Sequence, residues 1–100
     1  MSVLVTVKFP GDTDAFRRFI SNRADLLEKI SEQAKSQGAI HHRFGIGDGF
    51  VVAIDEWESA AAFNGFFADN SDIAIAMQDG GAQGEPEVTF AEAVETTDQF

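Results

Sequence analysis

Few side chains in this sequence can do chemistry, and most of them fall in two short stretches. One is His41-His42-Arg43, the other Asp55-Glu56-Trp57. Histidine exchanges protons near neutral pH, and a carboxylate on one ring nitrogen fixes its tautomer and raises its basicity. A dyad of that kind serves as a general base on an acidic C–H or a phenol. Two adjacent histidines on a strand point to opposite faces, so His41 and His42 do not converge on one metal ion. The chain has no Cys, which removes disulfides and thiolate metal sites. No metal and no cofactor is expected.

Whether His42 meets Asp55 depends on the elements around them. Val3, Val5, Val7 and Phe9 alternate with Leu4, Thr6 and Lys8, the pattern of a first β-strand that Pro10-Gly11 ends. Asp12 or Thr13 can cap a long helix whose apolar stripe runs through Phe16, Phe19, Ile20, Leu27, Ile30 and Ala34. Gly38 stands where a left-handed C-terminal residue is wanted. Ala39–Ile46 and Phe50–Trp57 read as two further strands. Asp48-Gly49 between them is a strong hairpin signal. With those two residues as the loop, Ile46 faces Val51, Phe44 faces Ala53, and His42 faces Asp55. On the opposite face Arg43 meets Ile54 and His41 meets Glu56. Ser59 can cap a second helix through Phe63, Phe66 and Phe67, which Asp69-Asn70-Ser71-Asp72 interrupts before a further helical piece over 73–78. The stretch 79–86 is a loop, and Val88–Val94 alternates as a fourth strand.

The order βαββαβ over residues 1–100 predicts a single α+β domain of ferredoxin-like type, a four-stranded antiparallel sheet with both helices on one face. Both hairpin faces are apolar. One carries Phe50, Val52 and Ile54 with Arg43 and His41, the other Val51, Ala53, Phe44 and Ile46, and whichever of them the helices leave bare calls for a second sheet, most simply that of a second copy. A homodimer is therefore expected.

Composition narrows the partners. A net charge of −10 disfavours nucleic acid and anionic membranes. No apolar run reaches transmembrane length, and the N-terminal residues lack a basic leader, so the expected location is cytoplasmic. Hydrophobic residues make up 44% of the chain and ten are Phe, more apolar material than so short a chain needs for its own core. Gly45-Ile46-Gly47-Asp48-Gly49 is not a phosphate loop, because a strand and not a helix follows it.

The stretch Asp55-Glu56-Trp57-Glu58-Ser59-Ala60-Ala61-Ala62-Phe63 resembles the end of the third strand and the Ala-rich helix of antibiotic biosynthesis monooxygenase-like proteins, a group of dimeric α+β barrels. The strand Ala39-Ile40-His41-His42-Arg43-Phe44-Gly45 is similar to one in short bacterial proteins. The resemblance implies a pocket between sheet and helices that takes a polycyclic aromatic ligand or heme. It also implies cofactor-independent oxygenation in some members and heme degradation in others. The heme-degrading pattern is broken here. Phe66 stands where those members carry a His on the second helix, Val5-Thr6-Val7 stand where they carry an Asn, and there is no Tyr.

The expected catalytic pair is thus His42 with Asp55, and the expected substrate-binding residues are Trp57, Phe44, Phe16, Phe63 and Phe66. Each has a plainer role open to it. The pair could simply satisfy two buried polar groups, Trp57 could anchor the second helix, and the Phe residues could be core. His41, Arg43 and Glu56 could form a network across the dimer interface, or Arg43 could clamp an anion. The functional expectation is a monooxygenase-like enzyme acting on a hydrophobic aromatic small molecule; the alternative is a noncatalytic dimer that binds a hydrophobic ligand or serves a structural role.

Overall fold

The computed structural model describes residues 1–100. Eight elements follow one another: β1 (Val3–Pro10), α1 (Thr13–Asn22), α2 (Ala24–Gln37), β2 (Ala39–Ile46), β3 (Phe50–Trp57), α3 (Ala60–Phe67), α4 (Ser71–Asp79) and β4 (Glu87–Glu92). The strands form one antiparallel sheet in the order β2-β3-β1-β4. This is the ferredoxin-like arrangement expected from the pattern.

The hairpin follows its sequence signal. Gly47 N–H bonds Phe50 C=O at 2.9 Å, so Asp48-Gly49 is the two-residue loop. Gly49 supplies the positive φ, +79°, that such a turn demands. From there His42 pairs with Asp55, Phe44 with Ala53 and Ile46 with Val51, as the turn dictates. One irregularity escapes that logic. The register slips between Ala39 and His41, leaving Ile40 as an extra residue in the edge strand.

The alternation in β1 separates two faces. Val5, Val7 and Phe9 are buried under the helices together with Val51, Ala53 and Trp57 of β3. On the other face Leu4 is 46% and Ile54 56% exposed. No element of the chain covers them.

The helical layer differs from expectation in one respect. The single long helix is two, broken at Arg23, whose φ of −126° and ψ of 40° lie outside the helical region. The cause is length. A straight helix over these 25 positions (10 in α1, one at Arg23, 14 in α2) would run about 37 Å at 1.5 Å per residue. The eight-residue strands beneath it span only about 26 Å. The break turns the chain so that Phe16 and Phe19 in α1 and Leu26 in α2 all bury against the sheet. Arg23 secures the corner with Asp25 at 3.2 Å and Asp79 at 3.7 Å. The second interruption lies where the polar run predicts it. Asn70 caps α4 by accepting from the Asp72 and Ile73 amides. Asp12 caps α1 and Ser59 caps α3. The fourth strand ends at Glu92, two residues short of the expected Val94.

Candidate functional site

The buried side chains fall into two clusters instead of one continuous core. Val5, Val7, Ala53, Trp57, Phe63 and Phe66 form one. Phe9, Phe16, Phe19, Leu26 and Val51 form the other. A cavity of about 790 Å³ opens along the sheet between them, lined by 26 residues of which 20 are hydrophobic. That size and lining suit a drug-sized apolar ligand with a few polar groups to orient it.

The polar side chains at the cavity come in equal number from α2 (Glu28, Ser31, Lys35) and from β2 and β3 (His41, His42, Asp55). His42 Nδ1 lies 2.6 Å from Asp55 Oδ1. Trp57 Nε1 donates to the other oxygen, Asp55 Oδ2, at 3.1 Å. Local structure explains the grouping. Asp55 and Trp57 are two apart on one strand and share its helix-covered face, while His42 sits opposite Asp55 by the register. Asp55 is 9% exposed, whereas the His42 side chain is 43% exposed at the edge strand. With Asp55 as a carboxylate, which only accepts, Nδ1 of His42 carries the hydrogen. In the neutral imidazole Nε2 then keeps its lone pair, and His42 lines the cavity. No buried side-chain nitrogen or oxygen lacks a partner, so the plainer role of the pair, mutual satisfaction, is also fulfilled.

Aromatic rings line the cavity in two groups. His42 meets Phe44 edge to face at 4.6 Å, and Phe44 meets Phe16 at 5.1 Å. In the second group Trp57 packs on Phe63 at 5.5 Å and Phe66 at 5.1 Å. All seven residues singled out from the sequence, His42, Asp55, Trp57, Phe44, Phe16, Phe63 and Phe66, line this one space. Trp57 is only 1% exposed and gives the cavity little of its surface. Phe16, Phe63 and Phe66 are core residues at the same time.

Two contributions to the site were not singled out from the sequence. Leu27, Ile30 and Ala34 of α2 form the wall facing the sheet; their helical spacing announced an apolar face, but not that it would stand off from the sheet. Ile40 lines the cavity from the bulge, and nothing in the residues around it marks an inserted position. His41, Arg43 and Glu56 do not assemble into a network within the chain. Glu56 instead accepts the Ser2 hydroxyl, and Arg43 has no ionic partner. No group of three or more His, Cys, Asp or Glu is placed to hold a metal ion. No helix is long and apolar enough to cross a membrane.

No protein-family model matches the chain, and no curated protein matches it. Solved structures do. The monooxygenase ActVA-Orf6 of Streptomyces coelicolor, solved with nanaomycin D, superposes with a TM-score of 0.66 at 19% identity, covering 95% of this chain and 89% of its own. SnoaB, a cofactor-independent oxygenase from Streptomyces nogalater, gives 0.64 at 18% identity over 98% of both chains. An antibiotic biosynthesis monooxygenase gives 0.64 at 15% identity, covering 93% of this chain and 99% of its own. The chain therefore has the ferredoxin-like fold of the antibiotic biosynthesis monooxygenase-like proteins, the group that the stretch from Asp55 to Phe63 resembles.

Proposed function

We propose that this protein is a monooxygenase-like enzyme that oxidises a hydrophobic aromatic small molecule without a cofactor, with His42 as its base. The observation that carries the reading is the 2.6 Å contact between His42 and Asp55 at the wall of a large apolar cavity. A base needs a defined tautomer and a free lone pair, and this contact provides both. In the proposed reaction His42 Nε2 takes a proton from an activated CH₂ of the substrate. The carbanion passes its electrons to dioxygen, and a C–O bond forms to give a peroxide. The proton held on Nε2 passes to the terminal oxygen of the peroxide. Nε2, free again, takes the second C–H proton as the O–O bond breaks, carbon becoming a carbonyl, and hands it to the departing hydroxide, which leaves as water. The balance is CH₂ plus O₂ to C=O plus H₂O. The cavity supports the carbanion step by keeping bulk water away. Phe16, Phe44, Phe63 and Phe66, with the edge of Trp57, would bind the rings.

The dimer belongs to the same proposal. The open sheet face carries Leu4, Val52 and Ile54, with Arg43 unpaired on β2 and Glu87 on β4 at the opposite edge. A twofold axis along the strands would set each copy's β2 over the other's β4. That buries the apolar stripe and brings the unpaired cation toward an acidic edge.

A second reading rests on the fact that every buried polar side-chain atom already has a partner. Such a site also suits a noncatalytic protein that carries a hydrophobic ligand. Oxygen uptake with anthrone, a tricyclic carbon acid, separates the two. The enzyme reading expects protein-dependent uptake and conversion to the quinone. Thermal stabilisation by anthrone without any uptake would favour the carrier.

A further inference from the structure

Trp57 is the only tryptophan of the chain and one of its most deeply buried side chains, yet its polar atom is not idle. Its ring is held by Phe63, nearly perpendicular at 86°, and by Phe66, tilted by 38°, both on α3. Held this way, its N–H has one place to go, the Asp55 oxygen that His42 leaves free. The geometry points to Trp57 as a positioning residue: its indole N–H orients the Asp55 carboxylate, which in turn orients His42.

A carboxylate with one bound oxygen can pivot about its Cβ–Cγ bond; with donors on both oxygens it has a single orientation. His42 sits at an edge strand with its side chain 43% exposed and needs that orientation more than a buried residue would. The chain of contacts runs from α3 through Trp57 and Asp55 to His42, so the seating of a helix sets the direction of an imidazole. Groups that position a ligand from behind commonly matter almost as much as the group they position. This inference rests on His42 being the working residue of the site, but the test below reads the linkage without any substrate, so the two stand or fall separately.

With one tryptophan, the indole N–H gives a single side-chain resonance in a proton–nitrogen correlation spectrum. The linkage predicts that this resonance lies downfield and exchanges slowly with deuterated solvent. In His42→Ala the carboxylate loses its other donor and accepts more strongly, so the indole resonance moves further downfield although His42 does not touch the indole. In Asp55→Asn a neutral acceptor replaces a charged one and the resonance moves upfield. Phe44→Leu, which alters the ring packed on His42 and leaves Asp55 intact, should leave the resonance where it is. An indole resonance in His42→Ala that overlays the wild type, or one that exchanges as fast as free indole, would overturn the proposal. His42 is at the surface, so its replacement does not endanger the fold. Coupling without any oxidation of substrate would leave Trp57 as a positioning residue and remove the proposed activity.

Discussion

His42 and Asp55 occupy directly opposed positions of β2 and β3, and their side chains meet at 2.6 Å on the face that the helices cover. Asparagine in place of Asp55 has nearly the same shape but the reverse hydrogen-bonding capacity. Its oxygen can accept from Trp57, which leaves its NH₂ to donate to His42 Nδ1. The imidazole would then carry its hydrogen on Nε2 and could not take a proton there. Asp55→Asn is predicted to stay folded and to lose at least about a hundredfold in turnover, the usual scale for a lost general base. Nitrogen NMR of the imidazole checks the cause: the protonated nitrogen should change from Nδ1 to Nε2.

Gly38 links α2 to β2 at a φ of +119°, and its carbonyl accepts the Glu58 amide at 2.9 Å. A Cβ there would also come within 3.2 Å of the Glu58 carboxylate. Gly38→Ala should destabilise the protein by about 1–2 kcal/mol, the cost of a side chain in left-handed backbone. Chemical denaturation reads this directly, as a lower midpoint with an unchanged slope.

Asp72 ties α4 to α2, accepting from Gln33 at 3.0 Å and pairing with Lys29 at 3.3 Å. The Gln33 hydrogen bond, and after it the Lys29 ammonium, holds its carboxyl below the ordinary value of 3.8. The unfolded chain thus binds this proton more readily than the folded one. The clamp's contribution is complete above pH 3.8 and fades as pH falls through the lowered folded value. Asp25 and Asp98 are lowered as well, Asp25 chiefly by Arg23 and Asp98 by the Thr96 hydroxyl. Melting temperature should therefore decline on acidification below about pH 4, where carboxylates begin to protonate. In Asp72→Asn the decline should be shallower. Equal acid slopes for the two proteins would deny Asp72 this role.

Leu4 and Ile54 are diagonal neighbours on β1 and β3 of the uncovered sheet face, Leu4 opposite Glu56 and Ile54 opposite Thr6. If a second copy covers them, sedimentation at micromolar concentration should give twice the mass of the 10.8 kDa chain. Ile54→Glu should then give a folded monomer, since a carboxylate cannot be buried there unpaired. A monomeric wild type would contradict the twofold arrangement.

The pairing of His42 with Asp55 was legible because a hairpin's register follows from its turn, and Asp48-Gly49 specifies that turn. The opposed faces of β1 were legible because strands alternate strictly. The break at Arg23 was not, since no Gly or Pro marks it. It arises from the mismatch between a long helix and short strands, a tertiary constraint that local propensity does not contain. Ile40 escaped for a related reason, because a bulge is a property of two strands and the sequence of one does not display it. The cavity lay between these cases. Its Phe residues were visible at helical spacing, but the same spacing serves a filled core, and only the fold shows the two clusters standing apart.

In the proposed reaction His42 acts as a base from the cavity wall. The direct measurement is oxygen-dependent oxidation of anthrone by wild type and by His42→Ala, compared as kcat/KM at neutral pH. Loss of general-base catalysis should lower the variant's value by about a hundredfold or more, with a thermal melt to check that the variant, in which Asp55 keeps only the Trp57 donor, remains folded at the assay temperature. Equal values in the two proteins would contradict the account and take His42 out of the reaction.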